Sequence, residues 1–248
     1  MERPLERRAA TRTAVVWEAC RRRLEERGPD QTVLDIGGGT GGFAVRVAEL
    51  GHRVTVVDPS PDALAALDRR AREHDVAARV TGLQGDLAGV SDLVPAGEAD
   101  LVLCHGVLGL VDDPGAALGV LGGLLRPGGA LSLLVGQHHA AVLGRAMAGH
   151  FSQARELLSA TGATGAAGAA SADHERRFTA EEVSDLLASN GFTLREMHAV
   201  RVFTDLVPSA LLDLEPGAVD GLLDLERAVA ERPEYLTLAA QVHAVATH

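Results

Sequence analysis

The stretch VLDIGGGTGG, residues 33–42, joins a strand-like apolar run to five glycines in ten residues, with Asp35 two places before the first glycine. Gly37, Gly39 and Gly42 satisfy the spacing G-x-G-x-x-G, and the FAVRVAEL that follows has helical periodicity. Glycine permits positive φ and close approach of a ligand to the main chain. A helix N-terminus adds unpaired N–H groups. The stretch therefore predicts a nucleotide-binding edge of a parallel α/β sheet.

Strand-like runs alternate with amphipathic helical patterns along most of the chain. The runs are TVLDI (32–36), RVTVVD (53–58), RVTGL (79–83), DLVLCH (100–105), ALSLLV (130–135), FTLREMHAVRVF (192–203) and LTLAAQVHAVAT (236–247). Continuous apolar strands separated by helices indicate a sheet buried on both faces. The sequence thus predicts a Rossmann-like, doubly wound α/β fold with seven strands.

Residues 1–248 are interpreted as one domain with helical additions. Residues 1–30 are expected to form an N-terminal amphipathic helical segment, and 137–178 and 205–235 to form helical or loop insertions that cover the site. TGATGAAGAASAD (161–173) is low-complexity sequence typical of a mobile loop. TAEEVSDLLASNG (179–191) predicts a helix with a capping box and a terminal glycine.

Composition restricts the classes of function. The net charge is −11 and the chain has no lysine, which argues mildly against broad nonspecific binding to nucleic acid. No leader or unbroken apolar stretch of 18 residues is seen, so we expect a soluble, cytoplasmic protein with no membrane partner. Cys20 and Cys104 predict buried thiols rather than a disulfide framework, and no metal-ligand spacing is apparent.

Two further acids strengthen the interpretation of the glycine turn. Asp58 ends the second strand, where a carboxylate can accept hydrogen bonds from ribose hydroxyls, and Asp86 follows the third strand, placed for an adenine amino group. Nicotinamide dinucleotides and S-adenosylmethionine both use such an edge. Asp35 is a poor neighbour for a pyrophosphate but suits an ammonium-bearing ligand, so the acid favours S-adenosylmethionine.

Several motifs together resemble a known enzyme class. VLDIGGGTGG, VTVVDPS, QGDL and LLRPGGALSLLV, between residues 30 and 136, are similar to class I S-adenosylmethionine-dependent methyltransferases. The resemblance implies a mostly parallel seven-stranded sheet whose last strand is antiparallel. It also implies the cofactor S-adenosyl-L-methionine and the turn LRPGG before the fifth strand.

A narrower resemblance extends over most of the chain. Residues 101–135, VRVFTDL (200–206) and residues 222–246 are similar to bacterial tRNA 5-carboxymethoxyuridine methyltransferases, which esterify a wobble-base carboxylate. The resemblance implies Arg12, in RTAVVW, as donor to the methionine carboxylate. It implies the other cofactor contacts at Gly37, Gly38, Asp58, Gly85, Asp86 and His105. With Asp35 and Gly39, these residues are the predicted cofactor site.

Three residues are candidates for the transfer chemistry. His105 ends the fourth strand, where it can act as a base for an alcohol or as a donor to an oxygen. Arg177 and Arg201 are expected to hold an anionic substrate, because a guanidinium matches a carboxylate or phosphate. A carboxylate nucleophile itself needs no base, since its unperturbed pKa is about 4. His138 and His139, after the fifth strand, are expected near the same mouth.

The methyl acceptor is left open by the sequence. The resembling family carries a lysine-rich stretch near residues 155–175 and aromatic residues after the fifth strand, where this chain has SATGATGAAGAASAD and GQHH. The leading hypothesis is a tRNA carboxylate methyltransferase, and the alternative is a small-molecule O- or carboxyl-methyltransferase. A non-catalytic nucleotide-binding protein and an NAD-dependent dehydrogenase are less favoured interpretations.

Overall fold

Seven strands form one sheet at the centre of the protein. The structure is a computed structural model that describes residues 4–159, 176–214 and 217–248. The strands are β1 (Thr32–Ile36), β2 (Arg53–Asp58), β3 (Val80–Gln84), β4 (Ala99–His105), β5 (Leu125–Gly136), β6 (Thr193–Val200) and β7 (Gln241–Thr247). Their order in the sheet is β3-β2-β1-β4-β5-β7-β6.

Strand direction follows the predicted pattern. The pairs β1–β2, β1–β4, β2–β3 and β4–β5 are parallel, while β7 is antiparallel to both β5 and β6. The predicted fold class, mostly parallel with an antiparallel last strand, is confirmed. The ends of β1 to β6 therefore meet the start of β7 at one side of the sheet, which we call the carboxyl edge.

Helices cover both faces of this sheet. They are α1 (Pro4–Arg27), α2 (Gly42–Glu49), α3 (Pro61–Glu73), α4 (Pro114–Leu124), α5 (His138–Met147), α6 (Phe151–Ser159), α7 (Ala180–Ser189), α8 (Ser209–Leu214), α9 (Ala218–Val229) and α10 (Pro233–Leu236). None of the helices in the described ranges is long and apolar enough to cross a membrane.

Alternating side chains of the strands build two separate cores. On β4, Leu101 and Leu103 pack with α1, α2 and α3, while Val102 and Cys104 pack with α4 and α7. Burial on both faces explains why the strands are continuously apolar in sequence. The two cysteines are free and buried, as predicted, with Cys20 of α1 in the first core and Cys104 in the second.

Most predicted helices form as expected. The capping box of α7 is present, because Thr179 and Glu182 each accept the other's backbone N–H through their side chains, at 3.1 and 2.7 Å. The N-terminal helix is amphipathic, and its apolar face contributes Cys20 and Leu24 to the core, each 1% exposed. The predicted loop at 161–173 lies outside the described residues.

The limits of three strands differ from the prediction. β6 ends at Val200, and β7 begins only at Gln241. The apolar run 236–240, predicted as strand, ends α10 and forms a turn in which the N–H of Ala239 donates to the carbonyl of Tyr235. A short apolar run fits either structure, so periodicity alone misjudged it. β5 includes LRPGG, whose residues 126–129 are unpaired with β4 between Leu125 and Ala130.

Candidate active site

The glycine turn between β1 and α2 needs its glycines for steric reasons. Gly37 has φ +71°, and a Cβ there would lie 2.4 Å from Cγ2 of Val107. Its N–H donates to the carbonyl of Val57 across 2.7 Å, which fastens the turn to the end of β2. Within the described ranges, a Cβ on Gly106, the residue after β4, would meet no atom within 4 Å. The turn is thus packed below, and there is open space beside the end of β4.

Asp35 lies directly beneath this turn. A Cβ on Gly38 would fall 2.5 Å from the Asp35 carboxyl group, which explains why Gly38 has no side chain. Asp35 is 3% exposed, and its carboxyl group makes no hydrogen bond or ion pair with any residue of the described ranges. Burial, with a smaller contribution from the charge of Asp58, raises the pKa of Asp35 to about 7. An unpaired buried carboxyl fits a cationic ligand group above the turn.

Asp58 joins the end of β2 to the same turn. Its Oδ2 accepts the N–H of Gly39 and its Oδ1 accepts the N–H of Ser60, each across 2.9 Å. A carboxylate offers about four lone pairs, so two remain for hydroxyl donors. The carboxyl end of β2 therefore presents an oriented acceptor, 7% exposed, beside the glycine backbone.

The residues after β3 form the next part of this edge. The N–H of Gly85 donates to the carbonyl of Asp58 across 3.2 Å, and a Cβ on Gly85 would lie 2.3 Å from Cδ1 of Leu93. Asp86 is exposed, and its Oδ1 accepts the N–H of Gly89 at 3.0 Å. Asp86 is therefore a turn former that keeps its other oxygen available.

Two of the candidate arginines share one carboxylate. Arg201, at φ +61° just after β6, pairs with Asp205, and Arg12 of α1 lies 3.6 Å from the other oxygen of that carboxylate. Arg201 also donates to Oε1 of Gln241 at 3.4 Å, while its Nε is buried and has no hydrogen-bond partner among the described residues. The structure thus brings together two arginines that lie near opposite ends of the sequence.

Glu226 organises the segment that carries Arg201, and sequence reasoning missed it. Its carboxylate, on a residue 1% exposed, accepts the backbone N–H groups of Val202, Phe203 and Thr204 and the hydroxyl of Thr204, at 2.6 to 2.9 Å. The only sign of this role in the sequence is that Glu226 occupies a position on the apolar face of α9.

The end of β5 brings Arg177 and His138 to the carboxyl edge. A Cβ on Gly136 would lie 2.9 Å from Nη1 of Arg177, so this side chain passes directly over the strand. Gln137 forms a parallel bridge with Phe178. Among the residues that the structure describes, the buried Nε2 atoms of Gln137 and His138 have no hydrogen-bond partner. His139 contacts His138 ring to ring at 5.5 Å. Polar groups therefore gather here as at the neighbouring strand ends.

His105 ends β4 and begins a hydrogen-bonded group that no sequence pattern predicted. Its Nε2 lies 2.8 Å from the hydroxyl of Ser132, which is also 2.8 Å from Nε2 of His243 and 3.2 Å from Sγ of Cys20. Burial lowers the pKa of His105 to about 4. The Sγ of Cys20 and one ring nitrogen each of His105 and His243 lie within 4.8 Å of one another. Sequence spacing could not reveal this cluster, because its members come from α1, β4 and β7.

Sequence and fold comparisons agree on the class of protein. The family described as "Methyltransferase domain" matches residues 6–197, so the chain belongs to that family. With the seven-stranded sheet and the carboxyl edge just described, this makes it an S-adenosylmethionine-dependent methyltransferase.

Particular relatives are similar over most of the chain. A tRNA 5-carboxymethoxyuridine methyltransferase of Escherichia coli O157:H7 is 30% identical over 236 residues, which cover 95% of this chain and 87% of the relative. Among solved structures, an S-adenosylmethionine dependent methyltransferase from Mesorhizobium loti has a TM-score of 0.60 at 18% identity, covering 94% and 97% of the two chains. Geranyl diphosphate C-methyltransferase from Streptomyces coelicolor A3(2) has a TM-score of 0.62 at 17% identity, covering 94% and 75%.

Proposed function

We propose that this enzyme methylates a carboxylate, that of 5-carboxymethoxyuridine at the wobble position of tRNA. The observation that carries the proposal is the relative from E. coli, whose similarity extends over 95% of this chain and 87% of its own length. The match therefore includes the helices before β7 as well as the cofactor half of the fold. The alternative acceptor is a small molecule that bears a carboxylate or hydroxyl group.

We assign the cofactor to the turn between β1 and α2 and to the ends of β2 and β3. The bound group supplies an electrophilic methyl on a sulfonium. Asp58 has lone pairs left for the two ribose hydroxyls, and the unpaired carboxyl of Asp35 suits the methionine ammonium group, directly or through water. The remaining assigned contacts are Arg12, Gly37, Gly38, Gly39, Gly85, Asp86 and His105.

The acceptor carboxylate needs positive donors that orient it without removing its charge. Arg201 pairs with Asp205 and keeps a buried Nε that no described residue binds, and Arg177 lies over the end of β5. We assign both guanidinium groups to the acceptor, and His105 to the position between acceptor and cofactor. A carboxylate is ionised at neutral pH, so these residues bind and align it but need not take a proton.

The whole chain is proposed to act as one cytoplasmic methyltransferase domain. The N-terminal helix, the two helices after β5 and the helices between β6 and β7 would cover the carboxyl edge. No metal enters the proposed reaction, because an ionised nucleophile and a sulfonium need alignment rather than a Lewis acid.

Transfer to defined tRNA tests this proposal. The purified full chain is incubated with S-adenosylmethionine and tRNA that carries 5-carboxymethoxyuridine, and the digested nucleosides are analysed by mass spectrometry. We expect the methyl ester, with one S-adenosylhomocysteine formed per ester. The same tRNA with unmodified uridine is the control. Equal S-adenosylhomocysteine from both tRNAs, with no ester, would remove the tRNA assignment.

A further inference from the structure

A continuous row of buried polar side chains connects the end of β4 to the protein surface. It begins at His105, passes through Ser132 on β5 and His243 on β7, and reaches His198 on β6. Consecutive members are 2.8, 2.8 and 3.2 Å apart, the last distance joining the two Nδ1 atoms. Ser132, His198 and His243 are at most 1% exposed. The row spans four neighbouring strands of the sheet, β4, β5, β7 and β6.

The hydroxyl of Ser132 limits how protons are arranged in this row. A hydroxyl donates one hydrogen bond and accepts two, and Ser132 has three partners: Cys20, His105 and His243. Burial raises the pKa of Cys20 to about 12, so it is a thiol whose S–H can donate to Ser132. If His105 also donates through Nε2, Ser132 must donate to Nε2 of His243. His243 then carries its proton on Nδ1.

The outer end of the row favours this same direction. Nε2 of His198 lies 3.3 Å from Glu196, 3.8 Å from Glu231 and 3.4 Å from Arg22. Two carboxylates can only accept, whereas the guanidinium can only donate, so the local charge favours a proton on Nε2 of His198. Nδ1 of His198 is then free to accept from His243. Every hydrogen bond in the row thus points from His105 toward Glu196.

The inner end is left with an acceptor. In this arrangement Nδ1 of His105 carries a lone pair, and it has no hydrogen-bond partner within the described ranges. His105 is partly exposed at the carboxyl edge and lies edge-on to Phe43, with ring centroids 4.9 Å apart. The next residue, Gly106, borders space that no described residue fills. Nδ1 is therefore the atom of His105 that is available to a substrate that accepts the methyl group.

We propose that His105, Ser132, His243 and His198 form a proton-transfer chain that enables this site to methylate hydroxyl groups as well as ionised carboxylates. The acceptor O–H gives its proton to Nδ1 of His105 as the oxygen bonds to the methyl carbon and the carbon–sulfur bond breaks. Its electron pair stays on sulfur. Four further hops follow: His105 Nε2 to Ser132, Ser132 to His243 Nε2, His243 Nδ1 to His198 Nδ1, and His198 Nε2 to Glu196. After product release the hops reverse, and the proton leaves from His105 to water.

The proton-transfer chain resolves an energetic difficulty that His105 alone would face. An imidazolium at His105 is unfavourable, since desolvation of its partly buried ring depresses its pKa to about 4. Burial also lowers the pKa of His243 and of His198. Transfer along the row lets the charge reach Glu196, which is 37% exposed and next to Arg22, without any ring remaining cationic. This activity goes beyond the proposed one, since a carboxylate gives up no proton.

The arrangement of hydrogen bonds can be tested without any acceptor. Nitrogen NMR of uniformly labelled wild-type protein distinguishes the two neutral tautomers of each histidine. We expect the proton on Nε2 of His105, Nδ1 of His243 and Nε2 of His198. The reverse pattern would overturn the proposal, because Nδ1 of His105 would then present an N–H, and not a lone pair, to the substrate that accepts the methyl group. Stoichiometric zinc in the purified protein would also overturn it, since ligation consumes the same nitrogens.

The activity is tested with two tRNAs that differ in one group. One carries 5-carboxymethoxyuridine, and the other carries the analogue whose side chain ends in CH2OH instead of the carboxylate. We expect methyl ether from the second tRNA, formed more slowly in heavy water, while ester formation is insensitive to heavy water. No ether from wild-type protein would overturn the inference. If neither tRNA reacts, the proposed tRNA function fails. The histidine tautomers observed by NMR still decide whether the proton-transfer chain is present.

A surface variant separates proton transfer from folding. Glu196→Gln combined with Glu231→Gln removes the final proton acceptor at exposed positions, with His74→Gln, an exposed histidine paired with Glu49, as the control. Ether formation should fall by about 10²-fold, the usual contribution of a general base. Ester formation should fall by less, and His74→Gln should change neither. Equal losses of ether and ester would overturn the assignment.

Discussion

The backbone N–H of Gly39 donates to Oδ2 of Asp58 across 2.9 Å. This bond connects the glycine turn after β1 to the end of β2, and Asp58 also accepts the N–H of Ser60. The carboxylate is thus held in one orientation before any ligand arrives. Preorganisation of this kind reduces the cost of ordering on binding, so in the proposed cofactor site we assign Asp58 two roles, hydrogen-bond acceptor for the ligand and brace for the turn.

Replacement of Asp58 by alanine should abolish tight binding of S-adenosylhomocysteine. Each hydrogen bond to a charged group is worth about 1.5–3 kcal/mol, so loss of the ribose contacts should weaken affinity by about 10- to 100-fold or more. Titration calorimetry measures the change. Asp62→Ala, in the first turn of α3, is the control and should bind normally. Wild-type affinity in Asp58→Ala would remove the residue from the cofactor site.

Asp35 should make cofactor binding depend on pH near neutrality. Its pKa is raised to about 7 in the free protein, chiefly by burial. A cationic ligand group favours the ionised form, so binding should release protons at pH 7, and affinity should fall as pH decreases below about 7. Calorimetry in buffers of different ionisation enthalpy reports the protons released. In Asp35→Asn we expect weak binding whose pH dependence near 7 is lost.

The same residue should oppose stability at high pH in the free protein. A folded-state pKa raised from 3.8 to about 7 favours folding below pH 4, and this contribution is lost as pH rises through 7. Compared with wild type, Asp35→Asn should therefore have a higher free energy of unfolding, and this difference should grow from pH 5 to pH 8 by an amount on the order of 1–4 kcal/mol. Urea unfolding at the two pH values measures the difference. If the difference in free energy of unfolding between Asp35→Asn and wild type is the same at pH 5 and pH 8, Asp35 is solvated in the free protein.

Arg12 should contribute to cofactor affinity, although the structure shows it paired with Asp205 at 3.6 Å and 58% exposed in its side chain. An exposed ion pair of this kind is weak, so the guanidinium can exchange it for the methionine carboxylate at little cost. Arg12→Ala should weaken S-adenosylhomocysteine binding about tenfold. Arg69→Ala, an exposed arginine of α3, is the matched control. Equal affinities in the two variants would exclude Arg12 from the site.

Sequence patterns predicted the sheet well, because burial on both faces makes each parallel strand continuously apolar and each connecting helix amphipathic. They located Asp58, Asp86 and His105 at strand ends, where the structure has them. The pairing of Arg12 with Asp205 and the row from His105 to His198 arise from contacts between distant segments. No local pattern encodes such contacts, since Ser132 and His243 look like ordinary strand residues in sequence.

Glu226 should be the most stabilising of the polar residues that sequence reasoning missed. Its buried carboxylate accepts three backbone N–H groups and one hydroxyl of residues 202–204. Glu226→Ala leaves these donors unsatisfied and should lower the free energy of unfolding by about 3 kcal/mol or more. Because the segment carries Arg201, we also expect the KM for the acceptor to rise. Glu226→Gln keeps one acceptor oxygen and should lie between, while Glu234→Ala, on short helix α10, should change neither quantity. Denaturant unfolding and steady-state kinetics measure both. A stable Glu226→Ala variant with normal KM would mean that the loop after β6 is held by other contacts.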